Sequence, residues 1–262
     1  MVFGKDVRLS RITSDGKMLC VTLDHGVSIG PVKGLDTISE TIDNAERGGA
    51  TAILVHKGII RTLAKPTRIG VIMHLSASTT IGPAPNRKVW VASVEEAIRL
   101  GADAVSVHIN IGSKEEPEML VKLGTVADEC DKWQIPFIAM MYPRGEGIKN
   151  PEDPDTVAHV ARIGAELGAD IVKTVYTGDS DSFRKVVRGC PAPVVIAGGP
   201  KSDSDRDVLE MAFGAMKAGA SGVTFGRNVF QHADPLKMVL ALSLVVLENR
   251  PVEAALEVLQ DG

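Results

Sequence analysis

Aromatic side chains make up only 4% of this 262-residue chain: two tryptophans, two tyrosines and six phenylalanines. So few rings leave little to stack on bases. The formal net charge of −4 is carried without a long basic block, so the composition does not favour a nucleic-acid partner. Cysteine is scarce as well. Cys20, Cys130 and Cys190 stand far apart with no CxxC pair, which argues against a thiolate zinc site or a disulfide framework. No secretory leader is recognisable, and the cytoplasm is the expected compartment. The longest apolar run, 238–247, is too short to span a bilayer, so no membrane partner is expected. Hydrophobic residues (44%) and charged residues (24%) stand at ordinary globular levels, enough for a packed core.

Glycine is plentiful, at 26 residues, and it is neither tandem nor periodic at three. Much of it falls in one recurring phrase: Gly48-Gly-Ala-Thr-Ala-Ile-Leu-Val-His-Lys-Gly, Gly101-Ala-Asp-Ala-Val-Ser-Val-His, Gly168-Ala-Asp-Ile-Val-Lys-Thr-Val-Tyr and Gly219-Ala-Ser-Gly-Val-Thr-Phe-Gly-Arg. In each, a helical stretch ends at a glycine, which takes up a left-handed C′ conformation cheaply, and a β-branched run follows at once. Continuous apolar runs, as opposed to alternating ones, mark strands buried on both faces of a parallel sheet.

Such runs occur at 18–23, 51–55, 68–74, 104–109, 137–142, 171–176, 194–197 and 222–225. Amphipathic segments suited to crossover helices lie between most of them, at 94–100, 116–133, 155–167, 182–188 and 205–218. One unit per roughly 33 residues is the spacing of an eight-fold β/α barrel, a fold of about 250 residues. The rival, an open doubly wound sheet, lacks support: no GxGxxG follows an early strand and no composition break divides the chain. The expectation is an α/β protein with a single (β/α)8 TIM barrel over 1–262. Residues 1–17 would cover the N-terminal end of the barrel and 251–262 form an extra C-terminal helix. The loops at 75–92 and 143–154 are longer than ordinary connections, as lids are.

Working residues of such barrels sit at the C-terminal ends of strands. There this chain places Asp24-His25-Gly26, His56-Lys57, His74, His108 and Asn110, Tyr142-Pro143-Arg144, Lys173 and Tyr176, Gly198-Gly199-Pro200-Lys201, and Gly226-Arg227. Lys173 lies inside Ile171-Val-Lys-Thr-Val, where apolar neighbours disfavour its charge, and a neutral amine is the nucleophile that forms a Schiff base. An equally open reading is a lysine neutralised by an acid such as Asp24. Lys57 and Lys201 follow strands and rank lower as nucleophiles. Gly198-Gly199 and Gly226-Arg227 fall in the two loops where barrels hold a phosphate on backbone amides, with Arg227 as a bidentate partner; tight turns are the plainer explanation. Tyr142 is a candidate proton shuttle or a rim tyrosine, and Asp24 a general base, a sugar-hydroxyl acceptor or half of an ion pair. His25, His56, His74 and His108 would bind zinc if they converged, but no HxH or HExxH motif accompanies them, so no metal is expected.

The motifs Asp24-His-Gly-Val-Ser, Ala139-Met-Met-Tyr-Pro-Arg-Gly145, Gly168-Ala-Asp-Ile-Val-Lys-Thr, Ala197-Gly-Gly-Pro-Lys and Phe225-Gly-Arg-Asn-Val-Phe-Gln, in this order over nearly the whole chain, resemble those of the archaeal-type class I aldolase family. The resemblance implies roles by position: Lys173 as the Schiff-base lysine, Tyr142 as proton donor and Asp24 as proton acceptor. It implies sugar-phosphate contacts from Asp24, His25, Gly26, Val27 and Ser28, from Tyr142, Pro143 and Arg144, and from Gly198, Gly199, Gly226 and Arg227. Lys201 is added to that set as a nearby cation. In the family's synthase branch, the enamine cut from a phosphorylated ketose-type donor passes to L-aspartate semialdehyde, on a route to 3-dehydroquinate and aromatic amino acids. The branch that cleaves fructose bisphosphate shares these motifs, and some of its members carry a tryptophan where this chain has Met140. The family uses no cofactor and commonly assembles as decamers of paired five-membered rings. A metal-dependent aldolase and an inactive sugar-phosphate binder are the alternatives from other classes.

Overall fold

A computed structural model describes residues 3–260. Eight strands run parallel and close on themselves: β1 (Met18–Thr22), β2 (Ala52–Val55), β3 (Gly70–His74), β4 (Ala104–Ile111), β5 (Phe137–Pro143), β6 (Ile171–Thr174), β7 (Val194–Ala197) and β8 (Gly222–Phe225). Each pairs with its neighbours in sequence, and β8 closes the ring on β1 through Met18 opposite Gly222 and Val21 opposite Phe225. The expected (β/α)8 barrel is therefore the fold. A two-strand antiparallel clasp, Ser76–Ala77 with Val89–Trp90, ties the base of the loop after β3.

Alternation along each strand sorts the side chains into two bodies. Outward residues such as Val21, Ile53, Val105, Met141, Val172 and Val223 join one large cluster with the surrounding helices. Inward residues form a second cluster inside the barrel, among them Met18 and Cys20, Ala52 and Leu54, Ile72, Ala104, Ile138 and Met140, Ile171, and Val195. Each fully buried aliphatic or thioether side chain contributes about 1.5–3 kcal/mol relative to exposure. Helices Ile38–Arg47, Lys57–Thr62, Val94–Arg99, Glu116–Trp133, Pro154–Glu166, Ser180–Gly189, Asp205–Ala218 and Pro235–Val246 make the outer ring. Local chemistry starts them where the loops end: the Ser93, Asp153, Asp179, Ser204 and Asp234 side chains each accept a first-turn backbone N–H. Among the described residues no helix is long and apolar enough to cross a membrane; the 238–247 run belongs largely to Pro235–Val246.

The glycine phrase works as expected at three of its four sites, with φ of +79° at Gly101, +99° at Gly168 and +100° at Gly219. In the first phrase the left-handed residue is Gly49 (φ +85°), whereas Gly48 is right-handed with φ −77°. Gly48 is needed for space instead, because a Cβ there would lie 2.6 Å from the Val239 side chain.

Helix Phe3–Ile12 crosses the N-terminal end of the barrel and sends Ile12 into the interior cluster. Its polar side chains meet strand starts: Arg11 pairs with Asp103 at 3.1 Å, Lys5 pairs with Asp170 at 3.1 Å, and Arg8 donates to the Ala102 carbonyl. Asp103 and Asp170 use their second oxygens to accept from the Val71 and Phe137 backbone N–H groups. At the other end of the chain, Val252–Gln260 is a final helix packed on Asp205–Ala218 and Pro235–Val246. Of the cover and the C-terminal helix expected at 1–17 and 251–262, residues 1–2 and 261–262 lie outside the described residues.

Candidate active site

The inward parity that fills the barrel with apolar groups turns polar toward the C-terminal mouth. On β6 the alternation that aims Ile171 inward also aims Lys173 inward, between outward Val172 and Thr174. On β5 it brings Ile138, Met140 and Tyr142 to the same face, and Met140 lies in register with Lys173. Beyond β1 the series Met18, Cys20, Thr22 leads to Asp24. Lys173 is 5% exposed and Tyr142 8% exposed. Cys20, beneath Lys173, is an inert thiol, its pKa pushed up to about 12 by burial.

Asp24 does not neutralise Lys173 by direct contact; among the described residues the ammonium forms no ion pair. The carboxylate turns to histidines, with His25 Nδ1 at 3.4 Å and His74 Nε2 at 4.0 Å. Burial works against its ionisation, but His25, His74, Lys173 and His56 together prevail and hold the carboxyl well below its ordinary range. The imidazoles are pushed the other way. Burial lowers His25 and His56, takes His74 to about 3, and sets His108 well below its usual value, so all four are neutral at neutral pH. His74 is held by the Ser106 and Ser76 hydroxyls at 2.7 and 3.2 Å, and His108 bonds Asn110 Oδ1 at 2.8 Å. The His108 ring lies 4.7 Å from the Tyr142 ring, and the Arg144 guanidinium sits 5.3 Å over the same tyrosine. Among the described residues no three His, Cys, Asp or Glu side chains come together to hold a metal ion.

The loops after β7 and β8 are locked together. Asn228 donates to the Gly198 carbonyl and accepts from Ser202 N–H, while Arg227 donates to the Gly199 carbonyl at 2.9 Å. Arg227 Nε is buried and has no hydrogen-bond partner among the described residues. The glycines earn their places by close approach: a Cβ on Gly226 would lie 2.5 Å from His25 Cε1 and 2.7 Å from Thr22 Oγ1, and one on Gly198 2.8 Å from the Phe225 ring. Gly199 alone of these takes a left-handed φ, +67°.

The other sequence candidates are distributed unevenly. His25 and Gly26 open the short helix Gly26–Ile29, which carries Val27 on an exposed face; Ser28 bonds across to the Ser78 carbonyl. Pro143 ends β5 beside Ile111. Lys201 is exposed, and its ammonium reaches only the adjacent Ser202 carbonyl. Lys57 pairs with Glu96 at 3.1 Å on the outer ring, and Tyr176 stacks on Phe183. One residue of the mouth escapes strand-end reasoning altogether: Lys88, deep in the loop 75–92. Its electrostatic partners are Arg144 and Asp24, and burial lowers its pKa to about 8. The only sequence signal for it was the unusual length of its loop.

A family model for DeoC/LacD family aldolases matches residues 18–232. The chain is 44% identical to the 2-amino-3,7-dideoxy-D-threo-hept-6-ulosonate synthase of Halobacterium salinarum, over 97% of this chain and 95% of the relative. It is 40% identical to the 2-amino-4,5-dihydroxy-6-oxo-7-(phosphonooxy)heptanoate synthase of Streptomyces griseus, over 92% of this chain and 89% of that one. Among solved structures it is similar to a Schiff-base-forming fructose-1,6-bisphosphate aldolase, with a TM-score of 0.85, 34% identity, and coverage of 92% of this chain and 98% of the other. Closed barrel, buried inward lysine and matched sequence agree: the chain belongs to the DeoC/LacD family of aldolases.

Proposed function

We propose that this aldolase is a 2-amino-3,7-dideoxy-D-threo-hept-6-ulosonate synthase, transferring a ketol-type unit from a 6-deoxy-5-ketofructose phosphate to L-aspartate semialdehyde. The observation that carries the reading is Lys173: an amine on the inward face of β6, 5% exposed and without an ion-pair partner among the described residues. Such an amine is free to add to a ketone. Loss of water from the adduct leaves a protonated imine, which takes up the electron pair of the adjacent carbon–carbon bond as it breaks. Breaking that bond requires a proton to leave the hydroxyl that becomes a carbonyl, and the phosphorylated carbonyl fragment so formed departs before the second substrate enters. Asp24, held ionised, is the acceptor assigned here, directly or through the neutral histidines around it. The enamine carbon then attacks the aldehyde of the second substrate, Tyr142 supplies a proton to the oxygen formed, and water returns the product ketone and the free amine.

The β7 and β8 loops are assigned to the phosphate. Gly198, Gly199 and Gly226 bare the backbone, and Arg227 keeps a buried N–H unspent. Holding a remote, non-reacting group lets its binding energy orient the ketone against Lys173. Asp24 to Ser28, Tyr142 to Arg144 and Lys201 complete the assigned contacts. Family resemblance extends the proposal to a cytoplasmic homo-oligomer, a decamer, that works without cofactor or metal in aromatic amino-acid biosynthesis.

Cleavage of fructose 1,6-bisphosphate is the second reading, supported by the likeness to the solved aldolase. Met140, in register with Lys173, leans toward the synthase, since some members of the other branch place a tryptophan there. Two measurements decide. Borohydride reduction in the presence of donor should leave a covalent adduct that mass spectrometry locates on Lys173; its absence rejects an imine enzyme and leaves the inactive binder or a metal mechanism. Product formation from L-aspartate semialdehyde should exceed cleavage of fructose 1,6-bisphosphate, and the reverse order assigns the chain to the other branch.

A further inference from the structure

The proposed phosphate loops lie on one flank of the mouth, after β7 and β8. In a ring of eight consecutive strands, β3 and β4 stand opposite β7 and β8. The loop 75–92 rises from β3 and is fastened across the mouth, from Ser28 beyond β1 to Asn110 on β4. The Ser76–Ala77/Val89–Trp90 clasp closes its base. Ser28 donates to the Ser78 carbonyl at 3.0 Å, and Thr80 N–H donates back to the Ser28 carbonyl at 3.1 Å. Asn110, at the end of β4, donates to the Asn86 carbonyl at 2.8 Å, and Lys122 from the outer ring donates to the carbonyl of Lys88 itself at 2.7 Å. Lys88 is thus carried by a segment anchored on both sides of it.

Its ammonium bonds the Ser78 hydroxyl and, among the described residues, no carboxylate. Arg144, poised over Tyr142, also lacks an ion pair among the described residues. Asn110 links the loop backbone at Asn86 to His108, and His108 contacts Tyr142, so the loop that carries Lys88 is joined to the proposed proton donor by a short run of contacts. Burial and the Arg144 charge lower the Lys88 pKa to about 8, and Asp24 opposes them. A half-desolvated cation without a counter-charge gains most from an anion that arrives with substrate.

The hept-6-ulosonate product named above carries its carboxylate at the far end of the chain from the ketone carbon, and that carboxylate enters with the amino-aldehyde. We infer that Lys88 is the acceptor-specificity residue, its ammonium binding the carboxylate of the incoming amino-aldehyde. The inference rests on the synthase reading. A single ammonium beside a serine hydroxyl matches a carboxylate better than a second phosphate, which is ordinarily met by several backbone N–H groups or a guanidinium fork.

The test compares Lys88→Met with the unsubstituted enzyme on L-aspartate semialdehyde and on 3-aminopropanal, the same aldehyde without the carboxylate. The expected result is a fall of about 10- to 100-fold in kcat/KM for L-aspartate semialdehyde, expressed mainly in KM, and little change for 3-aminopropanal. Borohydride should still capture the donor on Lys173, and Lys88→Arg should recover most of the loss. An equal fall with both aldehydes overturns the inference, as does a loss confined to fructose 1,6-bisphosphate cleavage. If the unsubstituted enzyme captures no donor on Lys173, the synthase reading itself falls and takes the inference with it.

Discussion

The two ends of the barrel are made from the same eight strands, yet they treat charge in opposite ways. At the N-terminal end two strand-start acids are matched: buried Asp103 holds Arg11 and the Val71 N–H, and half-buried Asp170 holds Lys5 and the Phe137 N–H. At the C-terminal end Lys173, Lys88 and Arg144 form no ion pairs among the described residues, Arg227 keeps a partnerless Nε, and Asp24 meets only imidazoles. Matched charges hold strand starts in place and have nothing left to offer a ligand. Unmatched ones cost stability, and the return is a mouth that completes itself with substrate.

This contrast sets the expected effects of substitution. Lys173→Met should reduce turnover by roughly 10⁴-fold or more while the melting temperature stays near that of the parent, because an apolar side chain of similar length suits the interior. Activity close to the parent's would show that the amine is structural. Asp170→Ala, at the other end, should lower the unfolding free energy in urea by about 1–3 kcal/mol, since it strands the Phe137 N–H, and should leave kcat alone. A loss of kcat without a loss of stability would erase the distinction between the ends.

Acid should act at the mouth. The folded state takes His74 from its usual value of about 6.5 to about 3, so between those values the unfolded chain binds a proton that the folded protein refuses. Stability therefore falls as pH drops below about 6.5, by about 1.4 kcal/mol per pH unit for such a group. The charged and titratable neighbours that act on His74 are Asp24, His56, Lys173 and Lys88. His74→Gln should reduce the slope of unfolding free energy between about pH 7 and about pH 5, leaving the share of His25, His56 and His108; an unchanged slope would move the acid sensitivity elsewhere. The smallest effect belongs to Arg11→Ala. The arginine is well exposed, and its loss should cost only about 0–1 kcal/mol because the Val71 N–H keeps Asp103 satisfied.

The fold was readable in the chain because its signals are local. A glycine that ends a helix and a β-branched run that starts a strand need only a few residues, and β7, β8 and the helices Glu116–Trp133 and Asp205–Ala218 begin and end where those patterns do. Inward parity carried Lys173, Tyr142 and Asp24 along with it. Strand ends were less exact: β4 runs on to Ile111 and β6 stops at Thr174, since strand length depends on which neighbours continue the ladder. Helices Ile38–Arg47 and Lys57–Thr62 were not among the expected segments, although Ile38–Arg47 is amphipathic and buries Thr41, Ile42 and Ala45. Gly48 misled because its reason for being glycine is Val239, far away in the chain. Lys88 was invisible for the same reason: Ser28, Asn110 and Lys122 put it over the mouth, and no pattern within 75–92 announces them. Lys201, in the loop after β7, is exposed and locally bonded.

The fastened loop after β3 also bears on how such an enzyme can change. It rises from β3 and is tied to Ser28 and Asn110, and among the described residues none of its anchoring bonds involves β6. On the proposed reading, acceptor preference resides in one short contiguous stretch of sequence, while the proposed imine-forming lysine stays on a strand of its own. A new partner aldehyde can be adopted by exchanging that stretch as a cassette, and the chemistry need not be invented again.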